Sequence, residues 1–336
     1  MDRRVDLQRS PKLGARECDA RPQGKASRVR FSPAALTRRS VMGGLAGAVF
    51  ATWFDRAFAD SADDPLKVIE FSPTDKYLLY ETTLSKVVPP AGYQSRIALQ
   101  DSVIRLVRAG VIDLGKFFDL QRRAVKSPDG LSQVLAEPSP NPIWLTRDNA
   151  SAYVNLLWPI GLANRMNGNF TSPLSGASAP SFASTAGWTL GDRAEGSGYF
   201  NRFPIVEMTL AQESLAIRVA KSTFRPCCDN STFFQDCNHG SALLGVLQLG
   251  AAQGLDEAEL YREALAFNPF WFADYYVRTA LYFIIVRKIA WDEVDPKEVM
   301  GPTFSALSSW RRIVQARVDT IPNLIPKSQE DANCGA

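Results

Sequence analysis

Three cysteines and a histidine stand within 13 positions in Arg225-Pro-Cys-Cys-Asp-Asn-Ser-Thr-Phe-Phe-Gln-Asp-Cys-Asn-His-Gly240. They are Cys227, Cys228, Cys237 and His239, and His239 is the only histidine among 336 residues. Three chemistries suit this grouping. As a Cys₃His set, the four residues could hold zinc, Cu(I) or an iron–sulfur centre, because thiolates and imidazole are soft ligands. Adjacent cysteines on one ion strain the backbone between them, which weighs against four-coordination. As half-cystines, Cys227, Cys228, Cys237 and Cys334 allow three connectivities, for example Cys228–Cys237 with Cys227–Cys334. Each bridge would stabilise by roughly 2–4 kcal/mol. As a thiol nucleophile, Cys237 stands two residues from His239, whereas catalytic Cys/His pairs normally meet through the fold. The vicinal Cys227-Cys228 pair could instead serve as a redox dithiol. Asp229 and Asp236 are candidate orienting groups in each case, or solvated turn carboxylates. The spacing matches no standard zinc, ferredoxin or CxxCH haem signature.

The elements around this block set its geometry. A helix opening with the capping pair Thr209 and Gln212 must stop at Pro226, and a second helix is predicted from Gly240 to Ala252. The thiols therefore fall in a loop, with His239 near a helix N-terminus, where free N–H groups favour thiolates. The small residues Gly240, Ala242 and Gly245 permit close approach of a second helix or a ligand. Apolar spacing predicts further helices over Tyr93–Ala109 and Asp113–Arg123, joined at Gly110, and over Ser151–Met166, kinked at Pro159. Others follow over Asp256–Phe267, Phe270–Lys288, Pro296–Met300 and Ser305–Val318. Strand signals are confined to short runs such as Lys67–Phe71. The predicted fold is mainly α, a single helical domain with few or no strands. Pro138–Pro142 reads as a rigid connector between an N-terminal helical segment, 60–137, and residues 138–336. Asn167–Phe200 is a long Gly/Ser/Pro-rich loop with embedded aromatics, read as an ordered cover. The aromatic run Leu265–Tyr276 reads as core, or as the wall of a pocket beside the cysteine loop.

Composition restricts the function classes. One histidine excludes sites that need two or more. The chain holds 38 Lys+Arg against 35 Asp+Glu, but twelve of the basic and five of the acidic residues lie in residues 1–59. The remainder is net negative, so the basic balance belongs to the leader and no nucleic-acid partner is implied. The leader contains Thr37-Arg38-Arg39-Ser40, an uncharged stretch from Val41 to Phe54, and the A-x-A site Ala57-Phe58-Ala59. This resembles a bacterial twin-arginine signal peptide, cleaved after Ala59. The resemblance implies passage through the twin-arginine translocase and a periplasmic or secreted mature protein. That route carries folded proteins, many of them already loaded with a cofactor. The uncharged stretch is too short for a bilayer of ~30 Å, and Asp274 and Arg278 interrupt the apolar run Ala266–Val286, so no membrane span is expected. The long n-region points to a true start downstream of Met1, with Val29 a candidate. The block Phe224–Gly245, continued to Phe272, resembles a group of uncharacterised exported bacterial proteins, which implies export and no catalytic residue.

These features predict an exported protein that binds a metal or redox cofactor through the Cys/His loop. The alternative is a disulfide-stapled helical protein with a small-molecule or interaction site under the Asn167–Phe200 loop.

Overall fold

The computed structural model describes residues 72–123, 131–186 and 188–326. The leader residues Arg38, Arg39, Ala57 and Ala59, the expected strand at Lys67–Phe71, and Cys334 lie outside them. Helix α1 (Pro73–Val87) begins with a capping box in which Ser72 and Asp75 satisfy each other's backbone N–H groups. Next come β1 (Tyr93–Gln100), α2 (Ser102–Arg108), α3 (Leu114–Arg123), α4 (Leu131–Ala136) and β2 (Ser139–Leu145). Then follow α5 (Ala150–Ala163), α6 (Leu210–Ser222), α7 (Asn238–Ala252), α8 (Glu257–Trp271) and α9 (Ala273–Tyr282). A π-helical turn, Phe283–Arg287, follows α9. The chain then makes the short helices α10 (Pro296–Val299), α11 (Pro302–Ser305), α12 (Leu307–Trp310) and α13 (Ala316–Val318). The fold is mainly α.

Two sequence expectations are corrected. The first half of Tyr93–Ala109 is a strand, not a helix, and Pro138–Pro142 leads into its antiparallel partner rather than forming a bare connector. The register runs from Tyr93 opposite Leu145 to Gln100 opposite Ser139, with irregularities at Ala98. Tertiary partners decide this. The Glu263 carboxylate accepts from Tyr93 Oη, Ser95 Oγ and Arg96 N at 2.7–3.0 Å. The Gln253 amide both accepts from Ala98 N and donates to Ala98 O, acting as a further strand residue on the free edge. Pro140 and Pro142 are tolerated because β2 is an edge strand. The ladder joins residues on both sides of position 137. The Gly110 boundary is realised, with φ +69° ending α2.

The core is organised around α7, in which every residue from Gly240 to Ala251 is buried. Such a helix needs neighbours on all sides; α5, α6, α8 and β1 supply them. The closest crossing is with α5. A Cβ on Gly161 would lie 1.8 Å from Ser241 O, and one on Gly245 would lie 2.4 Å from Leu157 O. Ser241 Oγ also donates to Trp158 O at 2.9 Å. The small residues at the start of α7 thus serve backbone contact with a second helix.

The segment from Asn167 to Phe200 is a succession of short 3-10 turns anchored by buried Leu174, Trp188, Leu190 and Tyr199. Trp188 packs on Trp158 with ring centroids 4.6 Å apart. The segment also covers the back of the cysteine loop. Ser184 N donates to Asp236 O at 3.1 Å, Ser172 Oγ to Gln235 Oε1 at 2.9 Å, and Phe182 meets Phe234 edge-on.

Candidate metal centre

Chain direction reverses between α6 and α7, and the reversal is built on one guanidinium. Arg225 follows Phe224, whose N–H donates to Met300 O at 2.8 Å. Its side chain is fully buried. Nη1 donates to Asn230 O at 2.9 Å and Ser231 O at 3.0 Å, and Nη2 donates to Phe234 O at 3.3 Å and to the Asp236 carboxylate. Nε donates to Cys237 Sγ at 3.1 Å. Each of the five N–H bonds has an acceptor, which is the condition for burying this charge. The Asp236 carboxylate also accepts from Asn230 Nδ2 at 2.8 Å, closing the loop on itself.

Cys237 is the N-cap of α7. Its Sγ accepts from Gly240 N at 3.3 Å as well as from Arg225. Gly240 is needed here, since a Cβ would stand 2.4 Å from Arg225 Cζ. The Sγ atoms of Cys227, Cys228 and Cys237 lie within 4.8 Å of one another, and Cys227 and Cys237 are 3.6 Å apart. All three are free thiols; Cys227 is exposed and the other two are half-buried. None of the pairings open to Cys227, Cys228 and Cys237 is closed as a disulfide in this structure.

The environment divides the thiols. Cys237 is drawn well below the usual thiol range by the S–H groups of Cys227 and Cys228, then by Arg225 and His239, against its burial. Cys227 is pushed up by its bonds to Cys228 and Cys237. For Cys228, the bond with Cys227 lowers the value, but the bond to Cys237 and burial outweigh it and push it up to about 11. The three thiols are thus shifted in opposite senses, Cys237 downward and Cys227 and Cys228 upward. Burial raises the Asp236 carboxyl although Arg225 opposes it.

The structure brings together three of the four predicted ligands and leaves out the fourth. His239 is not in the three-sulfur group. As the second residue of α7 its ring faces Phe272 at 4.7 Å and Trp271 at 6.1 Å, and burial lowers its pKa. The helix start directs this side chain toward the α8–α9 junction. Asp229 is also placed elsewhere, its Oδ1 accepting from Ser308 N at 2.8 Å at the start of α12. Asp236 reaches the site only through Arg225. Arg225 itself is the residue sequence reasoning missed. An arginine beside a proline carries no sign of complete burial, although a loop with two acids and three thiols does call for a cation.

The aromatic run behind the loop serves two faces of α8. Asn268 donates to Phe224 O at 3.4 Å and Tyr276 Oη at 3.1 Å on the loop side. Leu265, Ala266, Pro269 and Phe270 line a separate groove of about 270 Å³ with Pro89 and Trp291. No cysteine-loop residue lines that groove. Among the described residues, no helix is long and apolar enough to cross a membrane. No family model, curated protein or solved structure matches the chain.

Proposed function

We propose that this is an exported protein that holds a single thiophilic metal ion on Cys227, Cys228 and Cys237, with the fourth position open to an exogenous ligand. The spacing of the sulfurs carries this reading. Two thiolates sharing a tetrahedral ion at ~2.3 Å stand ~3.8 Å apart, and the Cys227–Cys237 separation is 3.6 Å. In a [4Fe–4S] cluster each thiolate ligates a different iron, which spreads the sulfurs; three within 4.8 Å suit one ion. A divalent ion on three thiolates leaves one net negative charge facing the Arg225 guanidinium, whereas Cu(I) leaves two. Zinc is accordingly favoured over copper. The open position fits the exposure of Cys227, since a site with three protein ligands binds water or substrate at the fourth. The twin-arginine-like leader supports loading before export.

The test is elemental analysis of protein exported by its own leader. Near-stoichiometric zinc is expected, lost in Cys237→Ala and Cys227→Ala and retained in His239→Ala. Protein purified without metal, and unable to take up zinc after reduction, would sink the reading.

A further inference from the structure

We propose that the metal-free site carries out thiol–disulfide exchange, with exposed Cys227 as the attacking thiol, Cys237 as the resolving thiol, and disulfides of small thiols as the reacting class. The inference uses the same residues as the metal reading but does not require the metal.

Three features of the loop define the roles. Cys227 and Cys237 are in sulfur–sulfur contact at 3.6 Å, so a mixed disulfide on one is within reach of the other. Cys227 is exposed, while Cys237 is recessed under Arg225 and the first turn of α7. An outside disulfide therefore meets Cys227 first. Cys228 is a poorer partner for either residue. Its backbone is tied through N–H to Arg225 O and through C=O to Leu307 N, and a bridge to Cys227 would close a strained ring across one peptide bond.

Cys227 gives its proton to solvent as its sulfur attacks a disulfide RS–SR, forming a Cys227–S–SR bond, breaking the S–S bond of RS–SR and releasing RS⁻. Cys237 then gives its proton to solvent and attacks Cys227 Sγ, which breaks the mixed disulfide and releases a second RS⁻. The two RS⁻ take up the two protons, so the products are the Cys227–Cys237 disulfide and two RSH; two protein sulfurs are oxidised and one outside disulfide is reduced. The reverse direction transfers the protein disulfide to two outside thiols. Arg225 Nε and Gly240 N both donate to the reduced Cys237 sulfur, and both bonds weaken once that sulfur is bridged. Stabilising the reduced form makes a disulfide oxidising, so the site is built to give its disulfide away.

The experiment treats chelator-stripped, reduced protein with glutathione disulfide and maps the products by peptide mass. The expected product is a Cys227–Cys237 disulfide that reduced glutathione reverses. Cys237→Ser should accumulate glutathione on Cys227, and serine still caps α7. Cys227→Ser should leave Cys237 unmodified. A bridge through Cys228, glutathione on Cys237 in Cys227→Ser, or no exchange while the reduced protein retains its native circular dichroism would each overturn the proposal. Exported protein that carries no zinc and takes up none after reduction would sink the metal reading and leave this one standing.

Discussion

Two irregular segments lie against each other here and are held by opposite means. The Asn167–Phe200 segment is fixed by apolar anchors, Leu174, Trp188, Leu190 and Tyr199, that fill space in the core. The loop between α6 and α7 is fixed by one buried charge, Arg225, with three carbonyls, a carboxylate and a sulfur around it. Apolar anchoring is non-directional and leaves the backbone free to wander between anchor points. A guanidinium fork is directional and sets where each acceptor stands. The first means yields a cover, and the second gathers three thiols.

The comparison is tested most severely by removing each anchor. Arg225→Met strands five acceptors and should cost about 3–5 kcal/mol, with loss of bound metal, in paired denaturation and elemental analysis. Trp188→Ala should lower stability comparably, by about 3–5 kcal/mol, while metal content stays unchanged. Loss of metal in the tryptophan variant would erase the distinction between the two segments. Gly240→Ala forces a methyl onto the guanidinium and should cost about 1–3 kcal/mol, with weaker zinc binding by calorimetric titration. Thr209→Ala removes the N-cap of α6, which enters the loop. A loss of about 1 kcal/mol in urea denaturation is expected, with the metal retained.

Protonation should give the smallest effects. In reduced, metal-free protein the ultraviolet absorbance of a thiolate should persist to lower pH than in the unfolded chain, because Cys237 is held below the ordinary thiol range. The unfolded chain binds that proton, so this contribution to stability is lost as pH falls through the folded value. His239 acts in the same sense. Its pKa is lowered by burial, so the unfolded state takes up the proton first, and stability falls as pH drops below the ordinary value of 6.5. Thermal melts across that range should show less dependence in His239→Gln.

The sequence made the helical part of the fold legible where local signals and tertiary partners agree. The Thr209–Gln212 capping box, the Gly110 turn and the Asp274–Arg278 pair are all present. Strand β1 was illegible because its edge is completed by Gln253 and Glu263, more than 150 positions away. Pro140 and Pro142 further disguised β2. At the site, the thiols were legible because they are close in sequence. The exclusion of His239 was not, since its direction depends on α8 and α9, and Arg225 gave no signal that it would be enclosed.

That enclosure has a consequence for how the chain assembles. The acceptors of Arg225 lie 5, 6, 9, 11 and 12 positions after it, whereas Ser241 reaches Trp158 across 83 and Tyr93 reaches Glu263 across 170. Closing a short loop forfeits little chain entropy, and local contacts form early. The thiols can be collected by a stretch of backbone no longer than a hairpin, before the distant helices have docked. A nascent chain would then present its three thiols as a unit, ahead of the fold that later encloses them.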